Sequence, residues 1–270
     1  MSKLKGKVAI ITGSGRLRGI GYTSAIAMAK LGANVVVTGT GRKPENYPDD
    51  EKKIGWKDVE STAEKIRQLG SQSLFFNLDV TDESQVKYVI QETYNKFNSI
   101  DILVNNAAVA IGSDRNPITE VDLKTFQKVV DVKVTGSYLC TKHVIPYMKK
   151  NKSGGKILNI ASLSGKRAQP NNLAYNAANF AMVGMTQSMA KELGPYGINV
   201  NAVCPAIVDT QRMDLYGRTD TWDEMSKRSS LGRNGTPEEV GDFVAYLCTN
   251  EASWITGQSI NMCGGTVMEH

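Results

Sequence analysis

Residues 7–32 read KVAIITGSGRLRGIGYTSAIAMAKLG. An apolar run passes directly into a glycine-rich turn, and the turn into a stretch of small and apolar residues at helical spacing. Gly13, Gly15, Gly19 and Gly21 leave out side chains where a backbone must turn tightly and approach an anion. Together with Ser14, Arg16, Arg18 and Ile20 they form a strand–turn–helix unit. The N–H groups and positive end of its helix suit a pyrophosphate. A GxGxxG string alone is weak evidence. Its place between a strand and a helix, with a further apolar run at 34–38, gives it force.

The same alternation continues outward. Strands are predicted at 7–12, 34–38, 73–78, 100–105, 155–160, 198–203 and 258–262, and helices at 20–31, 58–69, 83–97, 119–150, 174–193 and 237–249. Runs such as VAII and VVV lack polar alternation, as parallel strands covered on both faces do. The reading is α/β: a doubly wound parallel sheet of about seven strands flanked by helices, forming one domain over residues 1–270. Two polar, breaker-rich stretches interrupt it. Residues 39–56 form an extended loop after the second strand. Residues 208–235 follow the sixth strand, on the side where open α/β sheets bind ligands, and are read as a substrate lid.

The bulk composition excludes several classes. A net charge of +5 comes from scattered Lys and Arg with no long basic run, so no nucleic acid is expected as partner. Cys140, Cys204, Cys248 and Cys263 are far apart and predict reduced thiols, no metal, and a cytoplasmic setting. The apolar run at the N-terminus is too short for a signal peptide or a membrane span. His143 and His270 have no sequence partners that point to a triad or a metal.

The dinucleotide class is read from charge. A site for NAD carries an acid roughly 20 residues beyond the glycine turn, at the end of the second strand. Here that strand ends Gly39-Thr40-Gly41-Arg42-Lys43, with no acid before Glu45. Arg16, Arg18 and Arg42 suit a 2′-phosphate, which predicts NADP(H) as the preferred cofactor with NAD(H) possible.

With these segments in place, the chain resembles the short-chain dehydrogenase/reductase family over essentially its full length. The resemblance is carried by KVAIITGSG…GIG, LDVTD (78–82), NNAA (105–108), DVKVTG (131–136), KILNIASLSG (156–165), INVNAVCPAIVDT (198–210) and ITGQSINMCGG (255–265). It implies a Rossmann-type domain, a nicotinamide cofactor, hydride transfer at a carbonyl or alcohol carbon of a small molecule, and a homotetramer. It also places Asp79 and Val80 beside the adenine, Asn106 and Ala107 beneath the adjoining ribose, and Pro205, Val208 and Thr210 at the nicotinamide carboxamide. Ala206 replaces the glycine usual after that proline, and the glycine turn is two residues longer than usual.

The resemblance assigns the catalytic serine to Ser162 and the acid/base tyrosine to Tyr175. A carbonyl accepting hydride needs a proton, which a phenol donates while a serine hydroxyl steadies the oxygen. Lowering a tyrosine pKa from about 10 by about 3 units takes roughly 4 kcal/mol, which one ammonium at about 4 Å supplies at an effective dielectric of about 20. The family places a lysine for this four residues after the tyrosine. Here that position is Asn179, while Lys133 stands in DVK where the family has asparagine. The two residues are exchanged, which predicts that Lys133 supplies the charge from the neighbouring helix and Asn179 contacts the nicotinamide ribose. The altered site leaves two other readings open: non-redox chemistry on a carbonyl compound (ring opening, dehydration or epimerisation), or a non-catalytic dinucleotide-binding module. The substrate stays open. Lys166, Arg167, Arg212, Arg218, Lys227 and Arg228 suit an anionic group, whereas Tyr216 and Trp222 suit an apolar ring.

Overall fold

The computed structural model describes residues 2–269; His270 lies outside them. Seven strands form one parallel sheet: β1 (Val8–Ile11), β2 (Asn34–Gly39), β3 (Ser73–Asn77), β4 (Ile102–Asn105), β5 (Gly155–Ile160), β6 (Ile198–Pro205) and β7 (Ser259–Met262). Their order is β3-β2-β1-β4-β5-β6-β7, so the direction of winding reverses between β1 and β4. At that reversal two crossovers part and open a cleft at the carboxyl ends of the strands.

Alternation along the strands builds the two layers. Ala9, Ile11, Val35, Val37, Ile102 and Val104 face one core, with Met28 of α1 (Ile20–Lys30) and Val240 and Val244 of α9 (Pro237–Leu247). Ile10, Val36, Leu103 and Ile157 face the other. There they meet Val86 and Val89 of α4 (Glu83–Phe97), Val144 and Met148 of α6 (Gly136–Met148), and Leu193 of α7 (Leu173–Leu193). Successive side chains in a strand point to opposite faces, so unbroken apolar runs serve both layers. The α/β doubly wound reading is borne out, and all seven predicted strands form.

The predicted helix 119–150 does not run unbroken. It divides into α5 (Leu123–Val130), a π-helical turn over Asp131–Thr135, and α6. The turn contains Lys133, which is 5% exposed and donates from Nζ to the Ile160 carbonyl. Ser137 Oγ in turn donates to the Lys133 carbonyl at 2.7 Å. The remaining helices are α2 (Asp49–Lys53), α3 (Val59–Gln68) and α8 (Asp220–Lys227). The short α2 and α8 lie in the two stretches read from sequence as irregular.

Helices α1 and α9 pack closely because Gly241 presents no side chain: a Cβ there would lie 2.6 Å from the Thr23 carbonyl carbon. Gly241→Val is expected to cost about 1–3 kcal/mol through overpacking. In thermal denaturation this reads as a fall of roughly 2–4 °C per kcal/mol for a chain of this size.

Candidate active site

The glycine turn stands at the β1/β4 reversal and is braced by the sequence that follows β4. Thr12 Oγ1 accepts the N–H groups of Asn106 and Ala107 at 3.0 and 3.1 Å. Asn106 Nδ2 donates to the carbonyls of Thr12 and Gly13 at 2.9 and 2.8 Å. Gly13 has φ +68°, and a Cβ there would lie 2.9 Å from Ala107 Cα, so both conformation and space require glycine. The Asn106 amide is thus committed to the turn, and its link to a ribose is indirect.

Helix α1 opens at Gly19 without a side-chain cap. Its first-turn N–H groups remain available to an anion at the positive end of the helix. A dinucleotide pyrophosphate fits this uncapped end. Of the other turn residues, Ile20 is partly exposed, whereas Gly15, Gly21 and Ser14 are buried, the Ser14 Oγ donating to the Ile11 carbonyl at 3.2 Å. Asp79 and Val80 follow β3, where Asp79 Oδ1 accepts from Thr81 N at 2.9 Å and Val80 is buried against Gly136. Pro205 ends β6; Val208 bridges to Gly235, and Thr210 begins the 3₁₀ helix Gln211–Tyr216.

Of the three arginines that the sequence offered to a 2′-phosphate, Arg18 and Arg42 are held by carboxylates. Arg42 contacts Glu51 at 3.0 Å and Asp58 at 3.3 Å, with Glu51 fully buried and Asp58 nearly so. Glu51 belongs to the 39–56 excursion, which folds onto the turn, and Asp58 stands at the start of α3. Glu51 Oε1 accepts from Leu17 N at 2.8 Å, and Trp56 Nε1 donates to the Gly15 carbonyl at 2.7 Å. Asp58 Oδ1 lies 1.4 Å from where a Gly15 Cβ would be. Arg18 bonds Asp50 at 2.8 Å and also Asp214 of the 208–235 segment, and these partners hold its pKa above the ordinary arginine value. Arg16 bonds the neutral Gln211 at 3.1 Å. Burial, and then the nearby Arg42, depress its pKa. Sequence distance hid this arrangement: Glu51 and Trp56 stand in a polar loop with no periodic pattern to place them, and Asp58 stands at the start of the helix that follows.

Ser162 follows β5 and accepts from Ser164 N at 3.1 Å. Its loop packs on α7 because Gly165 has no Cβ, which would lie 2.6 Å from the Asn179 carbonyl oxygen. Tyr175 occupies the first turn of α7. Among the described residues its hydroxyl has no hydrogen-bond partner. Asn179 is fully buried and donates from Nδ2 to the Tyr175 carbonyl at 2.8 Å, while its Oδ1 has no partner.

Lys133 and Tyr175 line one small cavity with Val109, Asp114, Val129 and Arg212. Burial, followed by the charge of Arg212, brings the Lys133 amine down to about 7. Two guanidiniums also approach the phenol: the central carbons of Arg115 and Arg212 lie 3.9 and 5.2 Å from the Tyr175 ring centre. Arg115 is held by Asp114 at 3.0 Å and by Asn172. The sequence offered no signal for Arg115, which sits in an irregular loop after β4. His143 lies elsewhere, with Nε2 2.7 Å from Glu83.

This arrangement defines a Rossmann-type α/β protein with a serine and a tyrosine at the carboxyl edge of its sheet. A family model described as Enoyl-(Acyl carrier protein) reductase matches residues 13–267. The chain is 34% identical over 269 residues to a 3-oxoacyl-(acyl-carrier-protein) reductase of Synechocystis sp., covering 99% of this chain and all of that protein. It is 35% identical over 266 residues to a short chain dehydrogenase/reductase of Aspergillus oryzae, covering 97% and 95% of the two chains. A solved structure of a Serratia marcescens short-chain dehydrogenase/reductase double mutant superposes with a TM-score of 0.84 at 30% identity, covering 98% of this chain and 99% of that one. The chain belongs to the short-chain dehydrogenase/reductase family. It is an oxidoreductase of that family, which binds a nicotinamide cofactor and acts on small molecules. Among the described residues, no helix is long and apolar enough to cross a membrane.

Removing one member of a buried ion cluster leaves charge uncompensated, typically at a cost of about 3–5 kcal/mol. Arg42→Met is expected to lose stability on that scale in urea denaturation. The triple variant carrying also Glu51→Gln and Asp58→Asn should recover a substantial part of it.

Proposed function

We propose that this protein interconverts a carbonyl and an alcohol, with Tyr175 moving the proton and Ser162 steadying the substrate oxygen. A bound nicotinamide supplies or receives the hydride. Lys133 provides positive charge to the phenol from the neighbouring helix. The observation that carries this reading is the burial of Lys133 in the cavity it shares with Tyr175. A cation there acts through little water, and so at greater strength than at the surface. Arg115 and Arg212 add to the same field. The ribose contact expected of Asn179 has less support, because its amide is turned back to Tyr175 and its side chain is fully buried. We assign Asn179 to holding the first turn of α7, and with it the position of Tyr175.

Cofactor preference follows the acids. The expectation of NADP(H) depended on free arginines and absent carboxylates at the end of β2. Glu51 of the excursion and Asp58 at the start of α3 supply those carboxylates and occupy Arg42, while Asp50 and Asp214 occupy Arg18. With both guanidiniums held by these acids, neither is free to grip a 2′-phosphate, a contact that a 2′-hydroxyl does not need. We therefore revise the preference to NAD(H). Fluorescence titration should give a lower Kd for NADH than for NADPH; the opposite order rejects the revision.

The segment 208–235 is assigned as the substrate lid, since it carries Arg212 to the cavity. Leu123, Tyr138 and Phe180, exposed on α5, α6 and α7, support a homotetramer, which light scattering showing a monomer would refute. Four free cysteines, three of them buried, are in keeping with a cytoplasmic protein.

The reading is tested by a carbonyl panel with NADH and NADPH, followed by cofactor absorbance and product mass. Net cofactor consumption is expected. Altered substrate without consumption indicates non-redox chemistry, and dinucleotide binding alone indicates a non-catalytic module. The Lys133 charge has a definite sign with pH. Its pKa lies below the ordinary lysine value, so the ammonium is present below about 7 and is lost as pH rises. The activity of Lys133→Met relative to the parent should therefore be well below one at pH ~6 and approach one above pH ~8. A flat ratio removes Lys133 from the mechanism.

A further inference from the structure

The basic side chains near the cleft differ in one respect: whether a carboxylate already holds them. Arg218 is paired with Asp209 and Asp214, Lys227 with Glu224, and Lys166 with Glu269. Arg115 has Asp114 and Arg18 has Asp50. Arg167 and Arg228 are exposed to water. Arg16 bonds the neutral Gln211 and does not line the cavity beside Tyr175. Arg212 is different. It is half-buried in the 3₁₀ helix that follows Thr210, lines the cavity beside Lys133, and has no carboxylate partner among the described residues.

Its surroundings are short of negative charge. Arg115 and Arg212 approach the Tyr175 ring, Lys133 lines the same cavity with its Nζ on the Ile160 carbonyl, and Asp114 is the one acid lining it, already in contact with Arg115. Like charges held in a partly dry site cost free energy until an anion enters. A guanidinium offers paired donors in a planar fork that matches a carboxylate.

We infer that Arg212 receives a carboxylate on the substrate, so that the substrate is a short 2-oxo or 3-oxo acid or the matching hydroxy acid. This rests on the oxidoreductase reading above. The guanidinium lies beside the Tyr175 ring, so a carboxylate one or two carbons from the reacting carbonyl reaches Arg212 while the carbonyl oxygen reaches the phenol. In the reductive direction the carbonyl carbon accepts hydride from the reduced nicotinamide and its oxygen accepts the Tyr175 proton. The C=O π bond breaks, and a hydroxy acid and oxidised dinucleotide result. The charged lid residue thereby selects the anionic substrate over its neutral ester.

The test pairs binding with turnover. Malonate, which is not reduced, is titrated by calorimetry into the parent protein, Arg212→Leu and Arg212→Lys. The Kd of NADH is measured by fluorescence in each. Pyruvate is compared with methyl pyruvate, and acetoacetate with methyl acetoacetate, by kcat/KM. Malonate affinity should fall roughly 10- to 100-fold in Arg212→Leu and be partly restored in Arg212→Lys, with the Kd of NADH changed less than about twofold. The acid-to-ester ratio of kcat/KM should fall on the same scale. If Arg212→Leu weakens NADH binding and leaves malonate unaffected, the arginine serves the cofactor phosphates and the inference fails. A parent enzyme that turns over ester and acid equally also overturns it. Malonate binding that depends on Arg212, without turnover of any carbonyl, keeps the anion receptor and rejects the redox reading instead.

Discussion

A charge withdrawn from water must meet a counter-charge, gain hydrogen bonds, or change its protonation. That constraint organises the carboxyl edge of the sheet. Arg42 meets Glu51 and Asp58, and this pairing fixes a loop of little regular structure against the glycine turn. Arg18 meets Asp50 and Asp214, which ties the same turn to both long excursions. Lys133 takes the third route: with only the Ile160 carbonyl to receive it, its amine falls to about 7. Arg212, half-buried beside the Tyr175 ring, has no carboxylate partner among the described residues.

The fold was legible because its signals are local. Strand and helix periodicity, the glycine turn and the NNAA and NIAS segments each declare themselves within a few residues, and the sheet follows from their alternation. The exchange of Lys133 and Asn179 was legible for the same reason, since each stands inside a recognisable string. What escaped was the long-range pairing of side chains. Asp58 is 16 positions from Arg42, and Asp214 is 196 positions from Arg18. No pattern within either loop states which acid will fold onto which arginine. Charge counting at the end of β2 therefore found no acid, although folding supplies two.

Asn179 shows a second limit. Sequence position places it one turn from Tyr175 and so on the same face of α7, which the structure respects. Which way its amide turns depends on packing. The Ser162 loop comes close enough through Gly165 to enclose that position, and the buried amide bonds back to its own helix. Lys133 has the longer, more flexible stem and spans the gap to the end of β5.

The π-helical turn that holds Lys133 has a geometric effect on everything after it. One extra residue in the helical ladder advances the side chains by about 100°. Upstream of the turn, Val129 of α5 packs against Ala174 and Ala178 of α7; downstream, Val144 and Met148 of α6 pack under the sheet. The turn acts as a phase shift that lets one continuous rod serve two differently oriented neighbours. Excising a single residue from 131–135 would restore an unbroken α-helical ladder and rotate the stripe of α6 out of register with its core. The lysine's inward placement and the seating of a whole helix are thus one backbone event.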